Sequence, residues 1–420
     1  MKICRRMVAI AAAPLAAALL LLAAPGLPVA AADGGRSAAV PATPHLVSTV
    51  PSTMATTNDK VNALAYANGV VYAGGFFTRM TFKGVSYVRH HLGAVSSTTG
   101  APTSFHPDIN GEVTAIALSP NRKLLYVAGR FTAVGKAVRT DVAAFSTATG
   151  KLTSFAPAIL AGSLQAIAVT SSGIYLGGTI THVDGKPRTE AAEVTPQGKV
   201  TGWAPRLDGW VRALLVSPDK TRIFLGGGFH HVNGVAREAL ASVNLTTGAR
   251  EKFVNGLVPT YRDGRISQVT SLTTNGTWIF AGAEGTGHDA FDGTLAFRPR
   301  TGKLVWRNTC RGATQAVLYL RGVLYKASHA HDCATAGGFP HLEPGWQPHR
   351  LLAENPTTGK LLAWGTTAKH IAHPLPDTNG GVRSHLGPFA LVTDGSQLFV
   401  GGEFTTVNGR TREGLARFRL

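Results

Sequence analysis

The sequence predicts an all-β protein, a seven-bladed β-propeller whose blades are four-stranded antiparallel sheets. Three observations lead to this prediction. A unit of about 50 residues recurs along the chain, each unit contains four short β-like runs separated by turn residues, and the last unit is incomplete. Repeats of 20–50 residues indicate a solenoid, a propeller or an array. Four strands in each repeat are typical of propeller blades.

The repeat is clearest in residues 398–418, where an aromatic–x–small–Gly core is followed by an arginine ten residues after its last glycine. The glycine that ends the core recurs at Gly129, Gly178 and Gly227, with a spacing of 49 residues each time. The first copy carries a four-residue insertion before its arginine. The repeated arginines are Arg89, Arg139, Arg188, Arg237 and Arg412. Because they follow the repeat, we expect them to be structural and to pair across blades with acids such as Asp141, Glu190, Glu238 or Glu413.

The four runs of a unit have distinct patterns. The first run is Val-x-Ala-apolar, the second ends at the small–Gly core, and the third is a Leu-Ala run that ends in a Thr-Gly turn. Glycine tolerates the positive φ that such turns need. Small residues in the first run fit a strand near a crowded axis, and they are Ala63, Ala115, Ala166, Ala213, Ser271 and Ala316. An aromatic marks the fourth run, at Phe105, Phe155, Trp203, Phe253, Trp306 and Trp364.

Ring closure is expected at the chain ends. Six full units are followed by a last unit that stops at Leu420 after its third run. We therefore expect an N-terminal strand from the region 44–57 to complete the last blade, although that region lacks the aromatic of the other fourth runs. The predicted organisation is a single propeller over residues 45–420, with irregular blades 5 and 6 at about 267–383.

The N-terminus has the features of a secretory signal peptide over residues 1–32. Lys2, Arg5 and Arg6 precede an apolar stretch, and Ala30-x-Ala32 fits a cleavage site. A retained membrane anchor is the alternative. Residues 33–44 are expected to be a flexible lead-in, and no other segment is suited to span a membrane. The predicted location is secreted and extracellular, in association with the cell wall.

The charge balance favours anionic partners. The formal net charge is +18, and loss of the three basic residues of the signal segment, which has no acid, leaves +15. Such a surface is attracted to an anionic cell-wall polymer, a glycan or a protein, and no motif supports nucleic acid. The alternative is a dispersed solvating charge, because the basic residues form no run.

Two cysteines remain after the signal segment. Cys310 and Cys333 are expected to form one structural disulfide in an exported protein. The alternative is a metal-binding or catalytic thiol.

The irregular sector holds the residues most suited to a ligand. Long connections commonly build binding sites, and an insertion runs from residue 329 to 347. The ligand-binding candidates are His329, His331, Asp332, His341, Trp346 and His349. Their spacing matches no zinc pattern, so no metal is predicted. A plain polar insertion is the alternative.

No catalytic residue or cofactor is predicted, because the chain has no nucleophile elbow, His-Glu-x-x-His, phosphate loop or dinucleotide fingerprint. The aligned pattern Gly-Gly-x-Phe-Thr-x-Val-x-Gly-x-x-Arg-x-x-Leu-Ala, fitted throughout by residues 401–416, resembles the delta-60 repeat β-propellers. These propellers are common in secreted actinobacterial proteins and are carried as a domain of unknown function. The resemblance covers nearly all of residues 58–420 and implies the fold, with no catalytic residues. Residues 301–306 and 358–364 are more similar to repeats of quinone-dependent propellers, without implying the cofactor.

These observations favour a secreted non-enzymatic propeller, a binding or scaffold module for a cell-envelope polymer, glycan or protein. The alternative is an extracellular enzyme, either a glycan hydrolase or lyase or a quinone-dependent oxidoreductase. Carboxylates are scarce, and spacing in sequence cannot reveal a hydrolytic pair.

Overall fold

Antiparallel strands dominate the computed structural model, which describes residues 44–259, 267–285, 290–341, 349–365 and 387–420. A short 3-10 helix, Ala334–Ala336, is the only helix in those ranges. The all-β prediction is therefore confirmed. The predicted signal peptide and nearly all of the predicted lead-in lie outside the described residues.

Seven of the antiparallel sheets are meanders in which a second strand pairs with a first and a third. We number them sheets 1 to 7 in chain order. The first strands are Val61–Ala67, Glu112–Leu118, Leu164–Val169, Val211–Val216, Ser267–Thr274, Thr314–Leu320 and Pro388–Thr393. The second strands are Val70–Gly75, Leu124–Arg130, Ile174–Gly178, Arg222–Gly227, Ile279–Gly285, Val323–Ala330 and Gln397–Gly402. The third strands are Leu92–Ser96, Val142–Ser146, Ala191–Val194, Leu240–Asn244, Gly293–Phe297, His349–Glu354 and Leu415–Arg419.

A complete fourth strand is present only in sheet 5 among the described residues, at Leu304–Thr309. Elsewhere the aromatic run touches the third strand through single bridges, which are Val95 to Pro102, Phe145 to Leu152, Val194 to Val200, Val243 to Arg250 and Glu354 to Leu361. The prediction of four full strands in each blade therefore holds in part. Pro107, Pro157 and Pro205 follow the aromatics of the first three sheets by two residues. Each bridge lies three residues before its aromatic, so pairing with the third strand has already ended before these prolines are reached.

Small hairpins connect the second and third strands in sheets 1 to 4 and 7. They lie in the Thr-x-Val-x-Gly segment of the repeat. Their strand pairs are Arg79–Phe82 with Val85–Val88, Ala133–Val134 with Ala137–Val138, His182–Val183 with Lys186–Pro187, His231–Val232 with Val235–Ala236, and Thr406–Val407 with Arg410–Thr411. Two short strands, Thr56–Thr57 and Ile159–Leu160, add to the first and third of these hairpins.

The repeated arginines hold these hairpins to the aromatic runs. Arg139 donates hydrogen bonds to the carbonyl oxygens of Val138 and Thr153, both at 2.7 Å. Arg89 and Arg188 make the equivalent pair of bonds. The expected structural role is supported, but the expected partners were wrong, because these guanidinium groups bind carbonyl oxygens instead of carboxylates. Planar guanidinium donors suit such paired acceptors.

The first strands pack against one another in chain order, from sheet 1 to sheet 7, and the first strand of sheet 7 packs against that of sheet 1. The hydrophobic core lies between successive sheets. One buried cluster, for example, joins Phe399 and Leu415 of sheet 7 to Val61 and Val71 of sheet 1. Each sheet therefore buries its apolar faces against its two neighbours.

The small–Gly core of the second strand is needed for this packing. A Cβ on Gly401 would lie 2.6 Å from Val61 Cγ1 on the first strand of sheet 1, so a side chain there would collide with the neighbouring sheet. A Cβ on Gly227 would lie 2.0 Å from the Trp210 carbonyl oxygen within its own sheet. At both positions the neighbouring atoms lie so close to the glycine backbone that a larger residue would not fit.

The aromatic of the fourth run packs between neighbouring sheets. Each ring packs against the aromatic of the second strand in its own sheet. The ring centroids of Tyr126 and Phe155, for example, are 5.1 Å apart, and the angle between the ring planes is 82°. Phe105 also contacts Phe145 of the next sheet, at 5.9 Å. Edge-to-face pairs at such separations add to the stability from buried area.

The N-terminal segment lies along sheet 7. The amides of Ser48 and Ser52 donate to the carbonyl oxygens of Arg419 and Arg417, at 2.6 and 2.7 Å. Pairing there amounts to a single bridge, Ser52 to Arg417, because Thr56–Thr57 instead joins the first hairpin.

The disulfide between Cys310 and Cys333 is present, with a Cα–Cα distance of 4.2 Å. It ties the end of sheet 5 to the segment after the second strand of sheet 6. Within the described residues, no helix is both long and apolar enough to cross a membrane.

Candidate functional site

A β-bulge interrupts every one of the seven first strands at the same place. The pairing between the first and second strands shifts by one residue there, as between Val61 and Ala63 in sheet 1. A bulge re-aims a side chain and leaves its residue outside the ladder. The bulge residues, in chain order, are Asn62, Thr114, Gln165, Arg212, Thr270, Gln315 and Phe389.

These seven residues line one cavity of about 550 Å³. They come together because the first strands pack side by side and each begins at the same end of its sheet. We call this cavity the bulge-ring cavity. Its remaining wall is made of Lys60, Glu112, Arg130, Thr179, Trp210 and Gln268.

Some bulge side chains also hold neighbouring sheets together. Each donates a hydrogen bond to the carbonyl oxygen that precedes the bulge of the next sheet. These bonds run from Asn62 to Val113 at 3.0 Å, from Thr114 to Leu164 at 2.6 Å and from Thr270 to Thr314 at 2.5 Å. The cavity wall is therefore fixed in position before any ligand arrives.

Glu112 is the one carboxylate among the described residues that line the cavity. Lys60 Nζ lies 2.8 Å from its Oε1, and Asn62 Nδ2 donates to the same oxygen at 2.9 Å. Burial would raise the pKa of Glu112, but the hydrogen bonds from Lys60 and Asn62 and the positive charges nearby bring it below its ordinary value. Glu112 is thus a carboxylate at neutral pH.

Glu284 does not line the cavity, but it contacts residues of the cavity wall from the end of the second strand of sheet 5. It forms an ion pair with Arg212. Gln268 Nε2 donates to its Oε1 at 2.6 Å, and Gln315 Nε2 donates to its Oε2 at 2.5 Å. The indole nitrogen of Trp210 in turn donates to Gln268 at 2.7 Å. Glu284 therefore organises three residues of the cavity wall.

Arg130 is the most available charged group at the cavity. Its side chain is exposed, and it also lines a neighbouring cavity of about 580 Å³ with Asn110, Asp141 and Ser163. A guanidinium group presents a planar fork of donors that suits carboxylate and phosphate. Trp210 at 37% exposure and the half-buried Phe389 add aromatic surface beside it. The cavity combines polar donors, one available cation and aromatic faces.

A third carboxyl, Asp292, lies near Glu284 outside the cavity lining. It is half-buried and accepts hydrogen bonds from the amides of Gly285 at 2.6 Å and Gly312 at 3.4 Å. Burial raises the pKa of Asp292 to about 6, and the charge of Glu284 adds to this effect against the two amide bonds.

The predicted ligand-binding histidines form a separate cluster around Cys333. The ring of His331 lies 5.6 Å from that of His341 and 6.3 Å from that of His329. Burial lowers the pKa of His331, and the neighbouring His341 lowers it further. Asp332 Oδ2 lies 3.9 Å from Arg311 Nε.

His349 is buried and stacks on Phe339 at 3.8 Å. None of these five predicted residues lines the bulge-ring cavity, and Trp346 lies outside the described residues. In the described part of the chain, no group of three or more histidines, cysteines and acids is placed to hold a metal ion.

The sequence interpretation missed the bulge residues. Six of the seven are polar residues, and each occupies the middle position of Val-x-Ala or of the triplet that stands in its place. That polar middle position is the available signal, but a polar residue on a strand more often faces solvent. The bulge that turns these residues toward one cavity is not visible in the pattern.

Comparisons with known proteins give no family. No family model matches the chain, and no curated protein matches it. Among solved structures, the computationally designed Ika8 protein is similar, with 13% sequence identity and a TM-score of 0.47 over 88% of this chain and 98% of the designed one.

Proposed function

We propose that this protein is a secreted, non-enzymatic binding module, a seven-bladed β-propeller that holds an anionic wall polymer or glycan in its bulge-ring cavity. The observation that carries the proposal is the convergence of seven bulge residues, one from each sheet, on one polar cavity. Ligand sites with a few fixed polar groups and aromatic walls are typical of binding proteins.

The propeller itself is part of the proposal. Two contacts support a closed ring, namely the packing of the first strand of sheet 7 on that of sheet 1 and the bonds from Ser48 and Ser52 to the last strand. Membership of the delta-60 repeat propellers is proposed on the repeat pattern alone.

The charges of the cavity favour an anionic or polyhydroxylated ligand. Lys60 and Arg212 are matched by Glu112 and Glu284, which leaves the exposed Arg130 as an additional cation. The high positive charge of the whole chain would raise the local concentration of an anionic polymer. Trp210 and Phe389 offer flat apolar faces to sugar rings.

An extracellular glycan hydrolase or lyase is the second candidate. It is favoured by Glu112 in the cavity lining, by Glu284 against the cavity wall and by the raised pKa of Asp292. Against it, both glutamates already form ion pairs with cations and hydrogen bonds with side-chain amides. A general acid or base must instead lie within hydrogen-bond distance of the substrate proton. Release of reducing ends from cell-wall glycan that is lost in both Glu112→Gln and Glu284→Gln would favour the enzyme.

Sedimentation with purified cell wall tests the binding function. We expect the wild-type protein to be retained at low salt and less of it to be retained at about 0.5 M salt, because added salt shortens the Debye length and screens exposed charges. Arg130→Gln should bind at least about tenfold more weakly. Lys123→Gln is the matched control, because it removes one charge at the opposite end of the same sheet. No retention at any ionic strength, or equal loss in both variants, would contradict the proposal.

A further inference from the structure

A second group of polar side chains lies in the interface between sheets 5 and 6, away from the bulge-ring cavity. Lys326 and Glu354 belong to sheet 6, and both are 0% exposed. Thr294 and Asn308 belong to sheet 5 and are 0% and 7% exposed. A buried apolar cluster that contains Ala296 of sheet 5 and Leu324 of sheet 6 lies in the same interface.

Glu354 joins the members of this group. Lys326 Nζ lies 2.8 Å from Glu354 Oε1, and Asn308 Nδ2 donates to the same oxygen at 3.0 Å. The amine of Lys326 and the carboxamide of Asn308 are therefore neighbours that share one acceptor. The Thr294 hydroxyl lies 2.7 Å from Glu354 Oε2 and 3.0 Å from Asn308 Oδ1.

This arrangement is costly as a simple ion pair. The attraction between two buried charges offsets the free energy of their desolvation only when their remaining donors and acceptors form hydrogen bonds. A lysine ammonium has three donors, yet Lys326 Nζ makes no well-oriented hydrogen bond in the described part of the chain beyond its ion-pair contact with Glu354. A reaction that removes the buried charge would relieve this cost.

We propose that Lys326 and Asn308 form an intramolecular isopeptide bond, with Glu354 as the catalytic residue. Glu354 takes one proton from the Lys326 ammonium and leaves a neutral amine. Nζ then attacks Cγ of Asn308, and a new C–N bond forms while the carbonyl electron pair moves to Oδ1. A second proton passes from Nζ to Nδ2, the Cγ–Nδ2 bond breaks, and ammonia leaves. The third proton stays on the new amide, so the step needs no oxidant or other reactant.

Thr294 is placed to assist the reaction. A hydroxyl has one proton and can donate to only one of its two neighbouring oxygens at a time. Once Glu354 is protonated, it donates to the hydroxyl oxygen, and Thr294 donates to Oδ1 of Asn308, where negative charge develops. The product is an amide that links sheet 5 to sheet 6 beside the Cys310–Cys333 disulfide.

Mass spectrometry of the folded full-length protein tests the bond. After reduction and trypsin digestion, we expect no cleavage after Lys326 and a branched species that joins peptides 308–311 and 322–350. Its mass should be lower than the sum of the two peptides by one ammonia, about 17 Da. Separate, unmodified peptides 308–311 and 322–326 in the wild-type digest would overturn the proposal.

Two variants assign the chemistry. Glu354→Gln keeps the size of the side chain but replaces the carboxylate, the proton acceptor, with a neutral amide, so we expect both peptides to be recovered unlinked. Lys303→Gln, at an exposed lysine of the same region, should retain the branched species. A branched species that persists in Glu354→Gln would overturn the role of Glu354. If that variant does not fold, the wild-type digest still decides whether the bond exists.

Discussion

Single residues decide whether neighbouring sheets can approach. Gly401 is in contact with the first strand of the neighbouring sheet, where Val61 leaves no room for a methyl group. Gly202 has the opposite environment, with no atom within 4 Å of an added Cβ. The two glycines therefore make a matched pair of substitutions.

Gly401→Ala should destabilise the protein by about 1–3 kcal/mol, because overpacking forces the backbone or side chains to shift. Gly202→Ala should be neutral within about 0.5 kcal/mol. Urea unfolding followed by tryptophan fluorescence measures both free energies of unfolding. Equal effects would mean that Gly401 does not face the first strand of sheet 1.

Asp292 should make stability depend on pH. Its folded pKa of about 6 lies above the ordinary value of 3.8, so the folded state keeps a proton that the unfolded state has lost. Stability is therefore highest below the unfolded pKa and falls as the pH rises through about 6.

Asp292→Asn should remove that dependence. We expect it to stabilise the protein by about 1 kcal/mol at pH 7.5, after allowance for partial exposure, and to have little effect at pH 4. Thermal unfolding at the two pH values measures the difference. A gain at pH 4 that equals the gain at pH 7.5 would contradict the raised pKa.

At the scale of elements, the sequence predicts the first three strands of each unit well. Their patterns are local, since a Val-x-Ala run, a small–Gly core and a Leu-Ala run each specify a strand by themselves. The fourth strand was less predictable, because its pairing with the third strand ends before the aromatic that marks the run in sequence. The bulges were missed because they depend on how two strands pair, which no single run encodes.

The Cys310–Cys333 disulfide should stabilise the junction of sheets 5 and 6. It closes a loop with a sequence separation of 23, for which the chain-entropy model gives about 3 kcal/mol. We expect the double variant Cys310→Ala and Cys333→Ala to lose that amount in urea unfolding. Wild-type protein treated with a reductant should match the variant; unchanged stability in both would contradict this role.

At the scale of the whole molecule, the ends of the chain are held by Arg417. Its buried guanidinium donates to the carbonyl oxygens of Ser97 at 2.7 Å, Thr98 at 2.9 Å and Thr53 at 2.6 Å. These bonds connect sheet 7 to sheet 1 and to the N-terminal segment. The sequence led to the expectation that an N-terminal strand completes the last blade, but nothing in the repeat singled out this arginine.

Arg417→Met should cost about 3 kcal/mol or more, because it leaves buried carbonyl oxygens without their donor. Arg419→Met is the control, since Arg419 is exposed and donates one bond, to Thr98 at 3.1 Å. Thermal unfolding and limited proteolysis at the N-terminal segment would report the loss. A similar small effect in both variants would mean that the ends contribute little to stability.

Hydrogen exchange in the presence of purified wall polymer tests the central claim most directly. Because bulge amides lie outside the ladder, ligand in the bulge-ring cavity should slow exchange in peptides that contain the starts of first strands far apart in sequence, around Asn62, Thr114, Arg212 and Gln315 together. Slowed exchange confined to residues 329–341, or none at all, would contradict it.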